Sequence, residues 1–360
     1  MQAYILTLNP GSSSIKIGLF QSNGTEVVEP IIIDLHNLKR HFIWKVEGRD
    51  LDVDGTSPES IAVSLNKGLS AVGVVESIAI RVVHGGADSR RGIILDQHEI
   101  DRLSALSSLA PLHQPAALEM IRVMSQAFPD ARLVACPDTA FHHTADPLFS
   151  TYALPLEYRD EGLRAYGFHG ISYASVLAHL KISDPALSER RLLLAHLGSG
   201  ASLCLVNKGK SIASSMGFSA LEGLPMSTRC GQIDAGLVLH LVKRFNGDAS
   251  QVENLLYRQS GLLGLSGISG DMRALLASDR DEARFAVQFF IHQCARQAAG
   301  MMVLTGGIDG LIFTGGIGEN SEYVREQICG HLQWLLPHDC HIGVITCKEE
   351  QEMADIVAAY

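Results

Sequence analysis

The sequence predicts an α/β protein built from two related units, and three observations lead there. Apolar runs with strand-like alternation are interleaved with helical patterns along the chain. Two Gly/Ser turns, one near residue 11 and one near residue 199, each sit between alternating apolar runs. A chain of 360 residues with 46% hydrophobic and only 19% charged content can bury more than one core.

In chain order, strands are expected at 4–9, 14–20 and 26–33. The first turn lies in LNPGSSSIKIGLF, residues 8–20. Pro10 and Gly11 break the first strand, and Ile15, Ile17 and Leu19 then resume on one face, leaving Ser14, Lys16 and Gly18 on the other. Because strand side chains repeat every two residues, a hydroxyl and an ammonium project together beside the amides of the turn, a surface that suits a phosphate. An ordinary hairpin whose serines satisfy their own backbone is the alternative reading.

Helical and strand patterns alternate onward through RLVAC at 132–136. A second unit opens at RLLLAHLGSGASLCLVNKG, 191–209, where Ser202-Leu203-Cys204-Leu205 overlays Ser14-Ile15-Lys16-Ile17. Two halves that open on the same kind of hairpin predict a pseudo-symmetric pair facing a common cleft. Farther on, GLIFTGGIGENSEYVREQI at 310–328 reads as a strand, a glycine-rich turn and a helix with Glu322, Arg325 and Glu326 outward. Free amides and the dipole at a helix N-terminus attract anions. Any tight β–α connection has this pattern too. The P-loop Gly-Lys-Ser/Thr and the protein-kinase catalytic-loop and Asp-Phe-Gly motifs are absent from the sequence.

Composition excludes several classes. Lys and Arg number 29 against 39 Asp and Glu, a net charge of −10 without a long basic run, which argues against nucleic acid and acidic membrane surfaces as partners. The opening MQAYILTLNP enters a strand with no basic n-region, and no stretch is apolar and long enough to span a bilayer, so a cytoplasmic location is expected. Seven scattered cysteines without a Cys-x-x-Cys pair support neither a disulfide framework nor a zinc site.

Nine motifs occur in order: NPGSSSIK at 9–16, RVVHGG at 81–86, LAPLHQP at 109–115, DTAFH at 138–142, YGFHG at 166–170, HLGSGAS at 196–202, SMGFSALEGLPMSTRCG at 215–231, SGISGDMR at 266–273 and GGIGENS at 315–321. On these the chain resembles the acetate kinase family of short-chain acyl kinases. The resemblance implies the two-lobed acetate and sugar kinase/Hsp70/actin fold, ribonuclease H-like, with a duplicated core and an interdomain cleft. It implies an N-terminal lobe at 1–145 joined by a C-terminal helix at about 348–360. The C-terminal lobe, 146–347, would carry the nucleotide site and the interface of a homodimer.

The implied reaction is ATP plus acetate giving ADP and acetyl phosphate, with Mg²⁺ or Mn²⁺. Such a transfer needs positioning and charge neutralisation more than covalent help. Carried over motif by motif, Arg81 and Arg229 are the paired arginines, His169 bonds the transferring group, and Asp138 orients the metal or its waters. Taken alone, His169 reads as a core histidine, Asp138 as a helix cap and either arginine as a surface ion pair. Asn9 and Glu349 match metal ligands. The nucleotide would be held by Ser14, Lys16, His196, Ser199, Gly200, Asp271, Arg273, Gly315, Gly316, Ile317, Gly318 and Asn320, and the acyl group by Arg81, Val83, Leu112, Phe168 and Ala220. His113 also lies in a matching motif.

Several positions depart from the family pattern. Ser199 stands for an asparagine, Pro137 for a phenylalanine, Tyr173 for a histidine, Gln232 for an acidic residue and Ala220 for a proline. The segment between GGIGEN and the C-terminal glutamates, with WLLPHDCHIGVIT, is also short, which bears on the register of Glu349. Propionate kinase, a pyrophosphate-linked enzyme and a degenerate nucleotide-binding regulator are the competing readings. Retention of Asn9, Arg81, Asp138, His169 and Arg229 argues against the regulator, because binding alone needs no transition-state set.

Overall fold

A computed structural model describes residues 2–11, 14–34, 41–88, 90–111 and 113–360. The chain divides into two units. Unit 1 comprises Met1–Phe141, Gly170–Ser175 and Lys348–Tyr360, and unit 2 comprises His142–His169 and Val176–Cys347.

Unit 1 contains β1 (Ala3–Pro10), β2 (Ser14–Gln21), β3 (Glu26–Asp34), β4 (His41–Val46), β5 (Arg49–Asp54), β6 (Val74–Val82), β7 (Ile93–Ile94) and β8 (Arg132–Pro137). The first three strands fall where alternation placed them. Six strands form one sheet in the order β3-β2-β1-β6-β8-β7, while β4 and β5 pair separately. Strands β1 to β3 are an antiparallel meander, and β6 and β8 continue from β1 in parallel.

The period of two separates the faces of this sheet. Tyr4, Leu6 and Leu8 of β1 and Ile78, Ile80 and Val82 of β6 enter one core with Ile121 and Met124 of the helix Gln114–Ala127. Ile5, Phe20, Ala79, Val134 and Cys136 enter another, against Met353, Ala354, Ile356 and Val357 of the C-terminal helix Glu349–Ala358. Each large side chain buried there contributes about 1.5–3 kcal/mol. Asn9, Lys16, Gly18 and Arg81 share the parity of this second face. At Gly18 a Cβ would lie 2.7 Å from Thr7 Oγ1 and 3.3 Å from Glu350 Cβ, so glycine is what admits the C-terminal helix so close to the strand.

Unit 2 holds β9 (Arg191–Leu197), β10 (Ala201–Asn207), β11 (Lys210–Ser214), β12 (Gly310–Thr314) and β13 (His341–Val344), in the order β11-β10-β9-β12-β13. Strands β9, β10 and β11 are again an antiparallel meander, and β12 and β13 again run parallel to the first strand. The sequence of directions repeats that of β3-β2-β1-β6-β8, so the duplicated core is present in connectivity as well as in the two hairpins. The helix Asp281–Met302 buries Ala283, Ala286, Val287, Phe290, Ile291 and Cys294, the three-and-four spacing of an apolar stripe. All seven cysteines are free thiols. Among the described residues no helix is long and apolar enough to cross a membrane.

His84 in unit 1 and His142 in unit 2 are buried, and burial lowers each imidazole from 6.5 to about 4. As pH falls below 6.5 the unfolded chain takes up protons that the folded sites refuse. Their contribution to stability is therefore complete above pH 6.5 and is lost toward pH 4, at about 1.4 kcal/mol per pH unit and site. His84 Nδ1 accepts from Gly86 N–H at 2.9 Å, and His84→Asn keeps an acceptor there. We expect this variant to flatten the pH dependence of the thermal unfolding midpoint across that window. An unchanged slope would mean that His84 titrates normally in the folded protein.

Candidate active site

In unit 1 the strand ends gather charged side chains. Asn9 of β1 lies directly opposite Lys16 of β2, Arg81 sits near the end of β6, and Asp138 follows β8 at the start of the 3₁₀ segment Asp138–Thr144. Arg81 donates through Nε and Nη2 to Asp138 Oδ2 at 3.1 and 2.6 Å, and through Nη1 to Asn9 Oδ1 at 3.0 Å. Asn9 Nδ2 in turn donates to Glu349 Oε2 at 2.6 Å and Glu350 Oε1 at 3.2 Å. Lys16 Nζ lies 2.6 Å from Glu350 Oε2, on a carboxylate only 2% exposed. Thus the predicted Asn9, Arg81, Asp138 and Glu349 are brought together. Lys16, expected at phosphate, pairs with Glu350, a residue the motifs did not single out.

Two cations face three carboxylates in this set. Burial pushes the Asp138 carboxyl upward and the Arg81 guanidinium pulls it back. Asp138 Oδ1 is buried with no hydrogen-bond partner among the described residues. An excess of anionic oxygens with one oxygen left over fits a hard divalent cation or a water in its shell. Among the described residues no group of three or more His, Cys, Asp or Glu forms a metal cage. That is compatible with Mg²⁺, which keeps several waters and takes few protein ligands.

In unit 2, His169 caps the helix Gly170–Ser183 in the left-handed region at φ 57°. Its Nδ1 hydrogen-bonds Ser202 Oγ at 2.8 Å, and its ring stacks on His196 with centroids 4.2 Å apart. Arg229 Nη1 donates to the Ala220 carbonyl at 2.8 Å. A Cβ on Gly200 would lie 3.0 Å from His169 Nε2 and 3.1 Å from Arg229 Nη2. Glycine therefore leaves open the space that both nitrogen groups border. The loop carrying Ala220 is tied by Tyr152, whose hydroxyl donates to Glu222 Oε2 at 2.5 Å and accepts from Phe218 N–H at 2.8 Å.

A cavity of about 790 Å³ in unit 2 is lined by Gly198, Ser199, Ser227, Gly270, Asp271, Met272, Arg273, Leu276, Gly316, Ile317, Asn320 and Ser321. It is large enough for a nucleotide. Six predicted residues line it: Ser199, Asp271, Arg273, Gly316, Ile317 and Asn320. Asp271 caps the helix Met272–Leu276, and its ion pair with Arg273 at 2.8 Å holds the carboxyl below its usual range. Gly315 does not line the cavity but shapes the turn. Its φ is 79°, and a Cβ there would meet the Leu197 carbonyl oxygen at 2.8 Å. Gly318 likewise packs near Ala195 and Phe313. Glu319, unmarked in the sequence reading, accepts from Gly315 N–H at 3.0 Å and Cys347 N–H at 3.1 Å. His196 and Gly200 belong to the His169 set, and Ser14 and Lys16 to unit 1.

Of the acyl-site residues, Val83 is buried in unit 1, and Phe168 and Ala220 are buried in unit 2. Leu112 lies outside the described residues, and His113 precedes the helix Gln114–Ala127. The departures from the family pattern are accommodated locally. Ser199 is exposed and its carbonyl accepts from Ser227 N–H at 3.1 Å. Tyr173 is fully buried near Phe141, and Gln232 accepts from Arg296 at 2.7 Å. The cavity residues not singled out from sequence include Ser227 and Met272, which lie inside the motifs at 215–231 and 266–273 but carry no chemical signature of their own.

Comparison with known proteins bears on this geometry. The sequence profile of the acetokinase family matches residues 4–344. An acetate kinase of Methylocella silvestris is 41% identical over 355 residues, covering 93% of this chain and 88% of its own. Among solved structures, a propionate kinase from Francisella tularensis aligns at a TM-score of 0.87 with 31% identity, covering 98% of each chain. Acetate kinase from Entamoeba histolytica aligns at 0.85 with 29% identity, covering 97% of each. With its paired meanders, its arginine–carboxylate set and its glycine-lined cavity, the chain belongs to the acetokinase family.

Proposed function

We propose that this chain catalyses reversible, in-line transfer of the γ-phosphoryl group of ATP to acetate, giving acetyl phosphate and ADP. The observation that carries the reading is the approach of His169 Nε2 and Arg229 Nη2 to the open position at Gly200, the residue after Ser199 of the nucleotide-sized cavity. Acetate attacks as its carboxylate, so no proton has to be removed. One O–P bond forms to the γ-phosphorus, the bond to the β–γ bridging oxygen breaks, and the electron pair leaves with ADP.

The protein's task is to hold charge in place. Arg229 and His169 donate to the equatorial oxygens of the transferring group, where negative charge is spread in a loose transition state. Asp138 and Asn9 fix the guanidinium plane of Arg81, and that planar fork clamps the acyl carboxylate. Asn9, Glu349 and Asp138 would hold Mg²⁺ or Mn²⁺ and its waters, a cation that when bound neutralises phosphate charge. The apolar part of the cavity around Met272 and Leu276 favours an adenine nucleotide over pyrophosphate.

The same reading has the chain working as a homodimer in the cytoplasm. In support, the helix Ala235–Arg244 is amphipathic yet buries none of its residues, leaving Leu237 and Leu239 44% and 64% exposed. Propionate is a second acyl acceptor on one specific ground, the small Ala220 side chain in the acyl set.

Three outcomes test the proposal. Arg81→Ala and Arg229→Ala should each lower kcat by about 10²- to 10³-fold while changing the ATP KM far less. Either variant retaining more than about a third of wild-type kcat, with ADP formation coupled to acyl phosphate, would remove that arginine from the mechanism. Activity should require Mg²⁺ or Mn²⁺, and Glu349→Ala should raise the metal concentration needed without lowering the thermal midpoint. Glu350→Ala should instead lower the midpoint, since it removes the buried carboxylate that meets both Lys16 and Asn9. If Glu350→Ala carried the metal defect and Glu349→Ala none, the ligand assignment would shift by one residue. Hydroxylamine trapping should give a propionate kcat/KM within about tenfold of acetate's, and Ala220→Pro should restore preference for acetate. A wild-type preference for acetate above about a hundredfold would show that the pocket has closed around Ala220.

A further inference from the structure

His142 is not among the residues lining the nucleotide cavity, yet both of its ring nitrogens and its Cγ–Cδ2 bond are engaged. Its Nδ1 lies 2.9 Å from Ser211 Oγ, and its Nε2 lies 2.9 Å from the Phe168 carbonyl oxygen, one residue before His169. The Cγ–Cδ2 bond of the ring lies against Gly167, where a Cβ would stand 2.7 Å from both atoms. Cys204 packs beside Ser211 at the same nitrogen, with Sγ 3.5 Å from Ser211 Oγ and 4.0 Å from His142 Nδ1.

We propose that His142 is a positioning residue for His169: through Gly167 and the Phe168 carbonyl it holds the backbone that aims His169 Nε2 at the space beside Gly200. The need for such a support is visible in the backbone. Gly167 has φ 74° and His169 has φ 57°, a left-handed conformation that a non-glycine residue keeps only when its surroundings impose it. His169 is also anchored from its own side chain by Ser202 on β10. Two residues farther along the same strand face stands Cys204, against His142. One face of β10 therefore backs both imidazoles.

The hydrogen-bond directions are fixed. Burial keeps the His142 ring neutral, with a pKa of about 4. A carbonyl oxygen can only accept, so Nε2 carries the proton and donates to Phe168, and Nδ1 accepts from the Ser211 hydroxyl. Glutamine at this position can still donate to the Phe168 carbonyl, whereas leucine fills similar volume and leaves that carbonyl without its donor.

This inference rests on the reading that His169 touches the transferred group, and a double-mutant cycle separates the two. His142→Leu, His142→Gln and Ser211→Ala are assayed for kcat and ATP KM in wild-type and His169→Ala backgrounds. Expected is a loss of about 30-fold in kcat for His142→Leu with KM within about threefold, recovery to within about fivefold of wild type for His142→Gln, and less than about twofold further loss when His142→Leu is added to His169→Ala. Equal losses in both backgrounds, glutamine no better than leucine, or a His142→Leu kcat within about threefold of wild type would each overturn the proposal. Should His142→Leu fail to fold, Ser211→Ala decides: a kcat loss that disappears in the His169→Ala background supports it, and a loss of equal size in both, or none, overturns it. Full activity of His169→Ala alone defeats the underlying role of His169, and that is seen before any His142 substitution is read.

Discussion

The ion pair between Lys16 and Glu350 is the constraint on which unit 1 depends. Its carboxylate is almost completely buried, and taking a charge out of water is tolerable only when a partner meets it with good geometry. Lys16 supplies that partner from β2, and Asn9, directly opposite on β1, donates to the same glutamate. Once Glu350 is fixed, the helix Glu349–Ala358 has only one rotation about its axis. Met353, Ala354, Ile356 and Val357 then meet the sheet, and Glu349 comes to rest against Asn9. Hydrophobic burial supplies most of the attraction, but it is non-directional. The buried charge selects the register.

From that register follows the arrangement around Arg81. Its guanidinium is gripped on two edges, by Asp138 and by Asn9, and Asn9 is itself held by the two glutamates. A planar cation fixed on two edges loses little further freedom on meeting an anion, which is how a fixed arginine differs from a surface one. In unit 2 the equivalent fixing is done differently. Arg229 leans on a backbone carbonyl, His169 on a serine hydroxyl, and Gly200 contributes by having no side chain at all.

Much of this was legible in the sequence where the cause is local. The meanders at both ends of the duplicated core follow from alternation and glycine turns, and the parity of Ser14, Lys16 and Gly18 follows from a period of two. The family motifs located Asn9, Arg81, Asp138, His169 and Arg229, which the structure gathers into one set in each unit. What local pattern could not carry was the partner of a residue far away in sequence. The ion pair of Lys16 left no local mark because Glu350 stands more than three hundred residues away in sequence. His142 sat unremarked inside DTAFH because its role depends on a glycine and a carbonyl in another motif. Tyr152 gave no signal that it ties a loop around Glu222.

The sequence separation of 340 between Asn9 and Glu349 bears on biosynthesis. The sheet face made by Ile5, Phe20, Ala79, Val134 and Cys136 is complete in sequence once β8 has been made, yet apart from Ile171 its cover is the helix Glu349–Ala358. At about 5–20 residues per second, a ribosome leaves that face waiting on the order of ten seconds or more. During that interval an apolar sheet surface with a lysine near its rim is open to water. The nascent chain is then a natural client for chaperones that bind exposed apolar strands. Loss of the helix Glu349–Ala358 would turn this transient exposure into a permanent one.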